Sequence, residues 1–358
     1  MTGNFDPFER FVQQQLANAN GNLPDPKVNY WDQYTHLLSG LRQYVYPHVN
    51  AGLASLSKSP GIYTDHGPDH FDEVVRYAGL LLSTPDRQSY HGLEPYEYYL
   101  LLCAIRLHDA GNIGGREAHE TRAADVLAQY GGNIVHNSTD FYLISSIAQA
   151  HGGKRLDGDK DTISELPEDK YPVGGTTVRP RYVAALVRFA DEICEHSNRA
   201  SHHMMRNDDL PDHNKLYHYY AKSIVGAVPD RTSKSFRLNL QIDSAYLKNK
   251  YPTPTAPGQE TVYKYLIDEV RERIIKLDLE RIYCNQFLDP SLQTNRIEVS
   301  IQITKAKAIA GGAVLQQGVL ATYTYKIPPM YGYPANSSVW QDDEFFGEKI
   351  AAKIQEQT

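Results

Sequence analysis

Tyr98-Tyr99-Leu100-Leu101-Leu102-Cys103-Ala104-Ile105-Arg106-Leu107-His108-Asp109 is the stretch on which the reading of this chain turns. Its nearly unbroken apolar run predicts a buried helix within Glu94–Leu107, ended by Gly111. The run closes on an imidazole and a carboxylate. Both are costly to bury unless something compensates them, and a metal cation is the usual compensation.

Working outward, the same pattern recurs at other predicted helix ends. Upstream, Tyr63-Thr-Asp-His-Gly-Pro-Asp-His-Phe-Asp-Glu-Val74 sets His70 in the first turn of a helix starting near Pro68. Phe71, Val74, Val75, Ala78 and Leu81 follow at helical spacing, and His66 lies on the preceding loop. Downstream, His119 stands in Arg116-Glu-Ala-His-Glu, and a helix runs on to Tyr130. His151 follows a helix over Ser138–Ala150, in Ala150-His-Gly-Gly-Lys, and Asp191 falls in a helix over Arg181–Arg199. Neighbouring helix ends meet in a bundle, so side chains distant in sequence can converge there. Neutral imidazoles and carboxylates suit Mn, Fe, Ni, Co or Zn, with Mg also a candidate. No cysteine accompanies the set, which argues against a structural zinc knot. A lone helical histidine is more often a hydrogen-bonded core or surface residue; the information lies in the ordered set. His136, His196, His202, His203, His213 and His218 are read as incidental.

With 358 residues, 41% hydrophobic and 22% charged, the chain can fill one large domain or two modest ones. The net charge of -7 argues against a general binder of extended duplex nucleic acid, yet leaves room for a small anionic substrate at a local cation. No apolar stretch reaches the roughly 20 residues of a membrane helix, so no membrane partner is expected. The first residues lack the basic and apolar regions of a signal peptide. The three cysteines are isolated and read as apolar core in a reducing compartment, so the expected location is cytoplasmic. Tyrosine outnumbers phenylalanine 26 to 10 and is read as bridging core and solvent.

The expected fold class is mainly α, a helical bundle with a smaller C-terminal α/β module. Amphipathic helices are predicted within Pro7–Ala19 and Tyr30–Leu56, and residues Arg155–Pro180 form a passive surface excursion. After about residue 225 the texture changes. Strands are predicted at 235–243, 296–304 and 318–326, a long helix over Glu260–Phe287, a loop over Tyr251–Gly258, and a charged helix near Asp342–Gln355. The expected domains are 1–225, with its motif core at 60–200, and 226–358. The second would cover the site, bind a partner or pair copies into a homo-oligomer.

Over roughly residues 60–200 the chain resembles the HD superfamily of metal-dependent phosphohydrolases. His70 with Val74 is similar to that family's first-helix histidine, His108-Asp109-Ala-Gly-Asn to its central motif, and Arg188-Phe-Ala-Asp191-Glu to its closing segment. The resemblance implies a primary metal set of His70, His108, Asp109 and Asp191, with His119 and His151 matching histidines of members that hold a second ion. One or two divalent ions are thus implied, manganese among them. The short step from Asp109 to His119 is similar to the helical domain of exopolyphosphatases. Thr64-Asp-His-Gly-x-x-His resembles HD enzymes linked to bacterial conflict systems and Hsp90-like proteins. Asn112 stands where many members carry lysine. The implied activity is hydrolysis of a nucleotide or related phosphate mono- or diester by metal-activated water, with Asp109 catalytic as well as ligating. His66 is the candidate proton donor to the leaving oxygen, weighed evenly against a helix-start hydrogen bond. Arg116, Lys154 and Arg188 are candidates for binding the substrate phosphates, each weighed against a plain salt bridge. The alternatives are a di-iron oxygenase of the HD type and a non-catalytic nucleotide-binding sensor.

Overall fold

A computed structural model describes residues 5–19, 21–59, 61–253, 260–308, 315–328 and 344–356. The protein is mainly α, with a smaller α/β part toward the C-terminus. Two compact units are distinguished: Met1–Pro60, His66–Cys194 and Tyr283–Gln293 in one, Gly61–Asp65, Glu195–Ile282 and Thr294–Thr358 in the other.

The first unit is a helical bundle: α1 (Pro7–Ala17), α2 (Tyr30–Tyr44), α3 (Tyr46–Leu56), α4 (Pro68–Leu82), α5 (Pro95–Leu107), α6 (Ala123–Tyr130), α7 (Ser138–Gln149), a hairpin of β1 (Tyr171–Val173) and β2 (Thr176–Val178), and α8 (Pro180–Glu192). Local chemistry sets the starts. Asp6 accepts from Phe8 N, and Glu9 returns to the Asp6 backbone, closing a capping box ahead of Pro7. The single helix expected over Tyr30–Leu56 breaks at Val45, because Pro47 has no N–H with which to continue the ladder. Every residue of α5 from Tyr96 to Leu107 is buried, as an all-round apolar helix must be, and it packs against α1, α2, α4, α7 and α8. Its one cation, Arg106, is 1% exposed and donates to Glu9 Oε1 (2.8 Å), Tyr34 Oη (3.0 Å) and Asp72.

The excursion at 155–180 has more structure than its composition suggests. The Arg155 guanidinium gathers Asp157, Asp161 and Glu165 at 3.5–3.6 Å. Arg181 donates to Ser164 O and Leu166 O, while Tyr283 Oη donates to Asp161 and accepts from Ile163 N.

The second unit holds α9 (His202–Asn207), α10 (Asp212–Ser223), β3 (Ile224–Asp230), β4 (Ser235–Asp243), β5 (Lys250–Pro252), β6 (Tyr263–Tyr265), most of α11 (Leu266–Asn285), β7 (Arg296–Ala308), β8 (Leu315–Ile327) and α12 (Gly347–Glu356). The main sheet runs β3-β4-β7-β8. β4 and β7 are parallel, in register Leu238↔Val299, with α11 in the connection that parallel strands require; β3 and β8 pair antiparallel at the two sides. Phe236, Leu238, Leu240 and Ile242 of β4 alternate inward, as do Ile297, Val299, Ile301 and Ile303 of β7.

The expected boundary near 225 lies some thirty residues past the observed one, since α10 packs on β3, β4 and β5 rather than closing the bundle. The helix expected from Glu260 begins at Leu266, because Tyr263–Tyr265 pairs with Lys250–Pro252. Most of the expected loop at 251–258 and the first residues of the expected helix at 342–355 lie outside the described residues. Among the described residues, no helix is long and apolar enough to cross a membrane.

Candidate metal centre

Each expected ligand sits where a helix begins or ends, apart from His119. His70 occupies the first turn of α4, His108 caps the C-terminus of α5, and Asp109 follows at φ -103, opening a short 3-10 turn over Ala110–Gly114. His151 comes one residue after the C-cap of α7, and Asp191 lies in the last turn of α8. His119 lies between turns, after Ala118 at φ 50 and before Glu120–Arg122. Its approach to Asp109 depends on Gly111, because a Cβ there would stand 2.0 Å from His119 O.

The six side chains converge, and all but Asp191 are buried residues. Asp109 is the centre, and its two oxygens face different ways. Oδ2 lies 3.6 Å from His70 Nε2 and 3.9 Å from His108 Nε2. Oδ1 lies 2.9 Å from His119 Nε2 and 3.6 Å from His151 Nε2. Asp191 Oδ1 adds to the first group only, at 3.3 Å from His70 Nε2 and 3.5 Å from His108 Nε2. Two ligand triads result, His70–His108–Asp109 and Asp109–His119–His151, joined by one carboxylate.

The protonation pattern fits a cation at this cluster. A carbonyl can only accept, so Ile105 O at 2.7 Å, Arg116 O at 3.0 Å and Ala148 O at 2.6 Å place the proton on Nδ1 of His108, His119 and His151. Their Nε2 lone pairs then point inward, at carboxylate oxygens and at one another; His70 Nε2 and His108 Nε2 are 3.3 Å apart. Lone pairs facing carboxylates repel unless a positive charge stands among them. His119 Nε2 is buried without a well-directed hydrogen bond although Asp109 is close, which suits a metal donor better than an N–H. Burial alone would raise the Asp109 pKa, but the surrounding imidazoles, His119, His151 and His70 foremost, hold it well below the usual carboxylate range. For Asp191, more exposed at its side chain, His108 and His70 likewise hold the pKa well down against the cost of desolvation. Burial pushes the His151 pKa down, whereas for His119 the Asp109 and Glu120 carboxylates overcome burial and raise it to about 9.

The other expected residues are spread more widely. His66 Nε2 is 4.0 Å from Asp109 Oδ2, and its backbone N–H donates to Asn50 Oδ1. Arg116 Nη1 lies 3.6 Å from Asp109 Oδ1 and 3.4 Å from Asn112 Oδ1, its side chain 45% exposed. Lys154 is exposed and lines a neighbouring cavity of ≈ 160 Å³ with Glu120, Tyr142 and Ser146, whose lining includes none of the six ligands. Arg188, expected at the substrate, donates to Lys160 O and Thr162 Oγ1 and lies over the Tyr283 ring, tying down the 155–180 excursion. Among the histidines read as incidental, His218 accepts from Ser201 N and reaches Ile62 O, a structural pairing. Two neighbours escaped the sequence reading. Cys194 Sγ lies 4.0 Å from His70 Nδ1, and Glu120 Oε2 lies 3.0 Å from His119 Nδ1. Neither carries a local signal beyond adjacency to a motif.

No curated protein and no solved structure matches the chain. The HD-CE family model, however, matches residues 61–276, which hold the whole ligand set and more than half of the sequence. With an HD-type match of that extent and the His/Asp cluster in place, the chain belongs to the HD-CE family.

Proposed function

We propose that this protein is a metal-dependent phosphohydrolase acting on a nucleotide or a related phosphate ester, with two divalent transition-metal ions when fully loaded. The observation that carries the reading is the divided Asp109 carboxylate, one oxygen toward His70 and His108, the other toward His119 and His151. Ions bound there supply Lewis acidity toward phosphoryl oxygens and make water more acidic.

The remaining work falls to the chain. His70, His108, Asp109 and Asp191 furnish four donors to one position; Asp109, His119 and His151 furnish three to the other and leave it more open. The Arg116 guanidinium, held near Asp109 yet half in solvent, is the group for phosphoryl oxygens. Lys154, farther out, is the candidate for a distal phosphate. His66 holds a proton for the leaving oxygen at Nε2. His66→Ala is therefore expected to lower kcat by about 10²-fold on alkyl phosphate esters, and much less on nitrophenyl esters, whose leaving group needs no proton.

The reading is tested by loading the metal-free protein with Mn, Ni, Co, Mg or Zn. It is then assayed anaerobically on nucleoside mono-, di- and triphosphates, cyclic nucleotides and a nitrophenyl phosphodiester. Metal-dependent release of phosphate or alcohol is expected. Turnover only with iron and oxygen would establish the oxygenase instead, and nucleotide binding without turnover under any metal would establish the sensor.

A further inference from the structure

His108 and His151 follow regular helices, whose last turns present Ile105 O and Ala148 O to Nδ1 at 2.7 and 2.6 Å. His119 has no helix behind it, and its carbonyl partner is more distant, at 3.0 Å. A second acceptor stands at the same nitrogen: Glu120 Oε2, also at 3.0 Å. The other oxygen of that carboxylate, Oε1, occupies the space of a missing side chain. A Cβ on Gly153 would lie 2.4 Å from it, and Gly153 adopts φ +74, where a side chain is strained. Gly153 is two residues beyond His151, so Glu120 sits between the ring of one second-triad histidine and the loop that follows the other.

We propose that Glu120 is a positioning residue for the second ion, its carboxylate holding His119 Nδ1–H so that Nε2 aims at the place shared with Asp109 and His151, and that Gly153 makes room for it. An acceptor behind a ligating imidazole fixes the tautomer, orients the ring and raises its basicity. A helix-end carbonyl supplies that acceptor for the other two histidines; at His119 the Arg116 carbonyl of an irregular turn is joined by a side-chain carboxylate. This inference rests on the two-ion reading above.

The test is a cobalt(II) titration of the metal-free full chain, followed by visible absorption and by competition with a chelating dye. The parent is expected to take up two equivalents with separable bands. Glu120→Ala should weaken the second equivalent by about 10–100-fold and leave the first unchanged. Glu120→Gln, which keeps an acceptor oxygen, should recover most of the loss. Gly153→Ala should reproduce the loss, and combining it with Glu120→Ala should add little, because both remove one contact. Reading the second equivalent against the first within one sample makes the result independent of the folded fraction. A parent that binds one equivalent overturns the two-ion reading and this inference with it. Two parental equivalents with an unaffected Glu120→Ala, or equal losses in Glu120→Ala and Glu120→Gln, overturn this inference alone.

Discussion

Asp109→Ala is expected to empty both metal positions at once and to lower turnover by about 10³-fold or more, roughly 4 kcal/mol of barrier. The size follows from geometry. His119→Ala removes one donor from one triad, and Asp191→Ala removes one donor from the other group, so each should spare the ion across the bridge. Asp109 is the only residue in both triads. Its loss also leaves four imidazole nitrogens around the place of the missing carboxylate, with the Asp191 carboxylate remaining beside His70 and His108 but no anion between the two groups. Asp109→Asn sharpens the test. Its amide nitrogen can donate to an imidazole lone pair, so the metal-free cluster is satisfied without an ion, and the variant should fold well yet bind no pair of ions. Elemental analysis and turnover, beside far-ultraviolet circular dichroism as a control for folding, read all three outcomes. Near-normal turnover in Asp109→Ala would remove the centre as described.

The metal ligands were legible because five of the six stand at the end of an apolar helix, where a polar side chain conflicts with its surroundings and so calls for an explanation. α5 was legible for the same reason, its apolar run being too long and too uniform for anything but a core helix. Glu120 was not. A glutamate beside a histidine is ordinary, and its position depends on a glycine 33 residues away. Arg188 shows the converse. It stands one turn before a ligand, but its direction is set by Lys160 O, Thr162 and Tyr283, which no local pattern announces. In the second unit, β4 and β7 were legible from strict alternation. β3 carries Gly226, a bulge and Pro229, which erase the period, and it takes its place by pairing with β4. Pro47 did carry a local signal for the α2–α3 break, but the apolar spacing continues across it and hides the break.

The largest expected effect on stability lies away from the metals, at Arg106. A guanidinium 1% exposed inside a mostly apolar helix survives because Glu9 Oε1 takes Nη2 at 2.8 Å, Tyr34 Oη takes Nε at 3.0 Å, and the Asp72 carboxylate takes Nη1. Tyr34 in turn donates to Glu9, so the group forms a closed network tying α1, α2, α4 and α5. Arg106→Met keeps much of the volume and removes the charge. It strands the buried Glu9 carboxylate, 3% exposed at its side chain, and should cost about 3–5 kcal/mol. In a unit of this size that corresponds to a fall in Tm of about 6–20 °C. The cost comes from the anion left behind, so removing that anion should return much of it. Glu9→Leu combined with Arg106→Met is expected to be more stable than Arg106→Met alone, with a coupling of about 1–3 kcal/mol in a double-mutant cycle followed by urea unfolding of the metal-free protein. Simple additivity of the two substitutions would mean that Arg106 acts by packing its aliphatic stem, not by neutralising Glu9.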